Sequence, residues 1–353
     1  MTTIKDIAFS KASLLACQGF NPAFIDTTTC IPYEKILPSE FRKYLPEVDG
    51  NKKGLLHYTN LSVLYHAGRR VPFVSAYNID GRKKATGVKR PGGFAPDPRI
   101  DKDIQLSEDG FYHLRTDITE FEIGHMAANN EMAWGNDAQI KAYQTFHFPN
   151  SVPQAENLNT GIWRSLESYI MAEAISLKTN KRICVFTGPL LAKDDPAYVL
   201  APSFNIPLLF YKVIVFPTPQ GLKSTAFVMS HEQRMIEQGM FLTPRRHVMI
   251  ESGEGVGISP FADFKYRKVF QVNIGYLEDL TGLHFTWRGI KAIKVSQDKN
   301  QVMKIRKIKN AADAKAASKV LRRGEAPPSL LSDEDLTPAE LRKKSYRLNI
   351  ALE

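Results

Sequence analysis

Cysteine is scarce in this chain. Cys17, Cys30 and Cys184 are the whole complement among 353 residues, and three thiols at such wide spacing supply neither a disulfide framework nor a four-ligand zinc site. The expectation is a reducing, intracellular setting. Long apolar runs are missing too: no stretch of 18 apolar residues occurs, so no membrane-spanning helix and no membrane partner are expected. The first thirty residues carry Lys5, Asp6, Lys11 and Asp26 and hold no apolar h-region or small-residue cleavage site. A secretory signal is therefore not expected, and the location is read as cytoplasmic, with delivery out of the cell by a non-classical route left open. Internal repeats and low-complexity tracts are absent. The glycine-rich stretch 251–257 lacks the spacing and the strand–helix setting of a dinucleotide loop and reads as a surface loop. The eight histidines nowhere adopt an H-E-x-x-H or comparable ligand spacing.

What is present is the composition of a globular protein. Hydrophobic residues are 43% and charged residues 24%, which excludes wholesale disorder and the fibrous classes. The length allows one large domain with appendages, or two smaller ones. The net charge of +10 is uneven: residues 291–353 hold 15 Lys and Arg against 8 Asp and Glu, and the first 290 residues carry only the remaining +3. A basic chain suits a nucleic acid or another acidic surface, and a solvated helical tail would produce the same balance.

Local punctuation divides the chain into three parts. Residues 1–54 are broken by Pro22, Pro32, Pro38 and Pro46 and read as an irregular segment. Two β-rich runs follow, 55–65 and 71–79, joined by Ala67-Gly68-Arg69-Arg70 as a hairpin link and closed by the turn signal Asp80-Gly81. Residues 82–110 form a loop long enough to suggest function or disorder. From Leu158 to Leu177 the apolar residues Ile162, Leu166, Ile170, Ala174 and Leu177 recur at helical spacing, with Asn157 or Asn159 able to cap the start. Further strands are expected at 183–186, 208–216 and 225–229, and a short helix between Asn273 and Gly282. This mixture makes residues 55–290 an α+β domain rather than a run of βαβ units. Residues 295–353 turn rich in Lys, Ala and Arg. With a cap at Asn310 and a capping box at Thr337-Pro338-Ala339-Glu340, they read as a basic helical appendage.

Three segments carry the chemistry: Glu122-Ile123-Gly124-His125, then Asn150-Ser151-Val152-Pro153-Gln154, then Leu158-Asn159-Thr160-Gly161-Ile162-Trp163-Arg164-Ser165-Leu166-Glu167. Singly each has a structural reading: a lone His is usually packed, an Asn at a first helical turn is usually a cap, and Trp163 sits at core spacing. Together, in this order, they resemble the DNA/RNA non-specific endonucleases, the ββα-metal (His-Me finger) nucleases that include endonuclease G. That family carries D-R-G-H, N-x-x-P-Q and L-N-x-G-x-W-x-x-L-E, and the last two are matched here without a gap. The likeness spans about residues 55–287, through Thr187-Gly188-Pro189, Tyr211-Lys212-Val213-Ile214, Ala226-Phe227-Val228-Met229 and Leu280-Thr281-Gly282-Leu283.

The resemblance implies a ββα-metal fold with a central antiparallel sheet flanked by helices. It implies a Mg²⁺-dependent endonuclease, with Mn²⁺ as a substitute ion, that cuts DNA and RNA with little sequence preference and leaves 5′-phosphates. His125 becomes the general base, a role suited to an imidazole near neutral pH. Asn159 becomes the one direct ligand of the ion, which tolerates sparse protein ligation because it keeps its waters. Glu167 would orient a metal-bound water, Asn150 would hold the geometry, and Arg90 matches the family's phosphate-clamping arginine. Homodimers are common among such proteins, and a nuclease kept inside a cell needs restraint, so a regulatory or inhibitory partner acting through 295–353 is expected. Tyr143, Phe146 and Phe148 read as core in preference to base-stacking platforms.

One position departs from the pattern: Ile123 stands where the family has arginine, removing a bidentate phosphate donor. Arg69, Arg70 or Arg164 could substitute. The other reading is a catalytically weakened nucleic-acid-binding or interaction module on the same fold.

Overall fold

The computed structural model describes residues 3–114, 121–155, 158, 163–164, 166–168, 170–171, 182–193, 195–231, 269–294 and 303–304. Its frame is one large sheet. Strands β1 (Leu55–Tyr58), β2 (Leu61–His66), β3 (Val71–Asp80), β6 (Arg182–Leu190), β7 (Leu209–Thr218), β8 (Gly221–Ser230), β9 (Val269–Val272) and β11 (Met303–Lys304) lie side by side in that order, and β10 (Ile290–Ala292) pairs with β8. Every neighbouring pair is antiparallel except β8–β10. A second, two-stranded sheet joins β4 (Glu122–His125) to β5 (Ser151–Gln154).

The central strands β3 and β6 to β8 are buried almost along their whole length, because both faces of the sheet are covered. Side chains alternate across a strand, and the alternation sorts the core into two clusters. On β7, Phe210 and Ile214 enter one, and Tyr211, Val213 and Val215 enter the other. The first cluster takes in Met126, Val152, Trp163, Leu166 and Ile170, so the small hairpin and the helical residues after it cover that face. The second takes in Phe20, Ile25, Ile31, Tyr33 and Ile36 of the N-terminal segment, together with Ile274 and Leu277 of the helix Ile274–Thr281. Each large apolar side chain so enclosed contributes about 1.5–3 kcal/mol relative to exposure.

The expected α+β architecture, an antiparallel sheet with few helices, is the one observed. Several boundaries differ for local reasons. The run 55–65 splits into β1 and β2 at Asn60, whose φ of 60° is a left-handed value that asparagine adopts more readily than most residues. Strands expected at 183–186 and 225–229 extend to nine and ten residues, because polar positions inside them also find burial. The helix after Asn273 ends at Gly282 in the left-handed conformation (φ 67°), as the glycine signals. The segment before β1 holds helices α1 (Ile4–Phe9) and α2 (Lys11–Leu15). Thr3 and Asp6 cap α1 reciprocally: the Thr3 hydroxyl accepts from the Asp6 N–H at 3.1 Å, and the Asp6 carboxylate accepts from the Thr3 N–H at 2.8 Å. The helices expected near 310–323 and 337–349 lie outside the described residues. Within 295–353, Met303 and Lys304 pair with Gln271 and Phe270 of β9, which makes this short piece part of the sheet.

Candidate active site

His125 closes strand β4, opposite Ser151 of β5. Pro149 sits inside the 3₁₀ turn Phe148–Asn150 that leads into β5, and Asn150 then clips the chain that leaves His125. Its Oδ1 accepts the Ala127 N–H (3.0 Å), its Nδ2 donates to the carbonyls of Ala127 and Thr145 (2.9 Å each), and its own carbonyl accepts the Met126 N–H (2.9 Å). Asn150 is fully buried, so these bonds form where an unmade partner costs most. The glycine before the histidine has a specific cause: a Cβ at Gly124 would overlap the side chain of Gln154, which packs across the hairpin. The close approach at Gly124 is thus made by the last residue of the N-x-x-P-Q motif.

The imidazole of His125 is packed between two rings, Phe94 and Phe146, each 4.5 Å away between centroids. It is 9% exposed, and its Nε2 has no hydrogen-bond partner among the described residues. Burial, and secondarily the charge of Arg90, push its pKa down to about 3, so the ring is neutral at physiological pH. Arg90 is exposed, and its guanidinium lies over the Phe146 ring at 5.2 Å. The long loop 82–110 that carries Arg90 and Phe94 is pinned at several points. Ala95 exchanges backbone bonds with Phe146 and Phe148 (2.9 and 3.0 Å). The buried pair Asp97–Arg99 (2.7 Å) accepts the Tyr58 hydroxyl (2.6 Å) and reaches the carbonyls of Leu14 and His57. Lys5 donates to the Pro91 carbonyl at 2.9 Å.

Behind the histidine lies a buried polar cluster. Tyr77 of β3, Lys212 of β7 and Glu131 of helix α3 (Asn129–Met132) are all fully enclosed. The Lys212 ammonium lies 2.9 Å from the Tyr77 hydroxyl, 3.2 and 3.3 Å from the two Glu131 oxygens, 3.5 Å from the Met126 carbonyl and 3.8 Å from Glu167 Oε1. Glu131 also accepts from the Tyr77 hydroxyl (2.7 Å) and the Ala128 N–H (3.1 Å). Glu167 keeps 14% of its side chain exposed. Burial pushes its carboxyl above the usual carboxylate range; Lys212 pulls it back, and the neighbouring charge of Glu131 adds to the rise. Two carboxylates share one ammonium here.

Of the residues singled out by sequence, His125, Asn150 and Arg90 come together around the β4–β5 hairpin, and Glu167 joins them through Lys212 and the Met126 carbonyl. Asn159 lies outside the described residues. Arg69 is committed elsewhere, contrary to expectation: it pairs with Asp195 at 2.5 Å and donates to the carbonyls of Ala192 and Asn205. Arg70 sits beside Ser203 and over the Phe204 ring. Arg164 is exposed next to Glu167 and feels its charge. Ile123 is half-buried against the core. Phe146, Phe148 and Trp163 are core residues, as expected. Sequence reasoning assigned no role to Lys212, Glu131 or Tyr77. The available signal was a lysine in the middle of an apolar strand, Leu208 to Phe216, where an ammonium needs buried partners.

No group of three or more His, Cys, Asp or Glu side chains that could enclose a metal ion occurs among the described residues. An ion held by one amide oxygen and its own waters needs no such group.

A family model described as DNA/RNA non-specific endonuclease matches residues 40–289. An uncharacterised protein of Sinorhizobium fredii, y4fB, is 25% identical over 248 residues, 68% of this chain and 34% of that protein. The human mitochondrial nuclease EXOG is 24% identical over 238 residues, 65% of this chain and 55% of its own length. The matched region thus spans between a third and just over half of these relatives. A crystal structure of the EndoG/EndoGI complex superposes with a TM-score of 0.48 at 23% identity, covering 72% of this chain and 96% of the other.

Proposed function

The chain belongs to the DNA/RNA non-specific endonuclease family, and from that premise we propose that it is a metal-dependent endonuclease hydrolysing the phosphodiester bonds of DNA and RNA. The observation that carries the reading is the placement of His125: an imidazole whose Nε2 has no partner among the described residues, held between Phe94 and Phe146, with the Arg90 guanidinium over the same Phe146 ring. An unprotonated ring of this kind can accept a proton from an attacking water once the substrate's phosphate charge raises its basicity. Asn150 holds the turn that fixes the base. Arg90 would neutralise the scissile phosphate, and its guanidinium plane is steadied by the Phe146 ring. Glu167 would hold a water in the outer shell of a Mg²⁺ ion bound through Asn159. When bound, that ion supplies Lewis-acid stabilisation of the leaving 3′-oxygen. The products are then a 5′-phosphate and a 3′-hydroxyl. Incubating the full chain with supercoiled plasmid and with total RNA, in Mg²⁺ and in EDTA, tests this. Metal-dependent nicking with 5′-phosphate ends is expected, and cutting that persists in EDTA would overturn it.

A second reading, a nucleic-acid-binding module with weakened chemistry, is favoured by Ile123 alone. It predicts salt-sensitive binding without metal-dependent cleavage.

A further inference from the structure

The polar cluster behind His125 extends the proposed site. It rests on the nuclease reading above, and it concerns Lys212, Glu131 and Tyr77, to which neither the sequence motifs nor the comparisons attach a role. The chain segments that meet there are far apart in sequence: β3 brings Tyr77, α3 brings Glu131, the helical residues after the hairpin bring Glu167, and β7 brings Lys212. The other three side chains converge on the Lys212 ammonium. Three features make this more than a satisfied core pair. Glu131, besides meeting Lys212, holds the Ala128 N–H, three residues past His125. Lys212 also reaches the Met126 carbonyl, the residue next to His125. Its remaining neighbour, Glu167, is the one carboxylate of the cluster with part of its surface open to solvent.

We propose that Lys212 is a positioning residue of the proposed nuclease site, its ammonium fixing Glu167 relative to the His125 strand so that the half-open carboxylate can order the hydration shell of a divalent cation. Glu131 and Tyr77 hold the ammonium in place: Tyr77 accepts from Lys212 while donating to Glu131, which leaves the lysine little rotational freedom. The role is indirect, because Lys212 is fully enclosed and touches no solvent. Its loss acts through Glu167, whose carboxyl then has no ammonium to orient it. Outer-shell partners of this kind alter metal affinity or activity by roughly ten- to a hundredfold when removed.

The test uses the full chain, with two readouts. One is the Mg²⁺ concentration for half-maximal plasmid cleavage. The other is the half-saturating Mg²⁺ concentration from the metal-induced rise in Tm, which does not depend on turnover. Lys212→Met is expected to raise both by about tenfold or more, and Lys212→Arg to recover part of the shift. Because Lys212→Met strands Glu131, the double variant Lys212→Met/Glu131→Gln serves as the folded control without that second unpaired carboxylate, and Tyr77→Phe should move both readouts the same way by less. A folded double variant with wild-type Mg²⁺ dependence in both readouts would show a purely structural cluster and overturn the proposal, leaving the nuclease reading intact. A wild-type chain with no metal-dependent cleavage and no Mg²⁺-induced stabilisation would overturn both.

Discussion

At the scale of single residues, Asn150 separates two kinds of role. Its amide donates to two carbonyls and accepts one N–H, a pattern that only a carboxamide completes. Asn150→Ala should cost about 1–3 kcal/mol through stranded backbone groups, read from urea denaturation. Asn150→Asp should cost more despite its matching shape, because a carboxylate would face the Ala127 and Thr145 carbonyls with no proton to offer. An aspartate variant more stable than the alanine variant would refute this account of the turn. His125 makes a second residue-scale prediction. In the folded chain its pKa is about 3, and that of the buried His231, whose Nε2 donates to the Pro207 carbonyl and whose Nδ1 accepts the Ala155 N–H, is about 4. Both lie below the ordinary 6.5, so the unfolded chain takes up these protons first as the pH falls. Stability is therefore complete above about pH 6.5 and lost below it, by about 2 kcal/mol per histidine at pH ~5. Denaturation midpoints compared across that range check the sign. The His125→Ala and His231→Ala variants should each show a shallower acid slope.

At the scale of elements, the loop 82–110 carries Arg90 and Phe94 yet is neither strand nor long helix, so its order depends on anchors. The strongest is Arg99, 4% exposed, which binds Asp97 and two distant carbonyls, one of them in α2. Arg99→Met leaves the buried Asp97 charge without its counter-ion and should destabilise the fold by about 3–5 kcal/mol; removing both charges with Arg99→Met/Asp97→Asn should recover much of that loss. A calorimetric melt distinguishes the two outcomes. The same scale shows what was legible in the sequence. Strand alternation and Gly or Pro punctuation located β3, β7, β8 and the helix ending at Gly282, because these signals are local. The N-x-x-P-Q motif singled out Asn150, while the pairing of β4 with β5 around it carried no sequence signal that was read. The cluster of Tyr77, Glu131, Glu167 and Lys212 was not legible, since its members belong to four segments and only the sheet order β3-β6-β7, with the hairpin laid across it, brings them together. Nor did sequence reveal that Arg69 serves Asp195, a partner 126 residues away.

At the scale of the whole molecule, the sheet divides labour between its faces. One carries the hairpin and the proposed chemistry; the other is sealed by the N-terminal segment and the helix Ile274–Thr281. The basic surplus is concentrated in 291–353, where we propose contacts to nucleic acid, a partner or a second copy. The short strand Met303–Lys304 sets where a truncation should fall: a chain ending at 304 keeps the β9–β11 pairing, and one ending at 294 removes it. The chain ending at 304 should bind DNA more weakly and with a smaller salt slope than the full chain, or change its assembly state, while its turnover at saturating substrate stays near that of the full chain. Unchanged affinity, salt slope and sedimentation would contradict that assignment.

The central claim is that His125, neutral and held between Phe94 and Phe146, acts as the base of a metal-dependent nuclease. The most direct measurement compares wild-type chain with His125→Ala for Mg²⁺-dependent plasmid cleavage and, in parallel, for DNA affinity and thermal unfolding. The account predicts cleavage reduced to the EDTA background, with DNA affinity unchanged and the fold intact. Cleavage retained by a folded His125→Ala chain would contradict it.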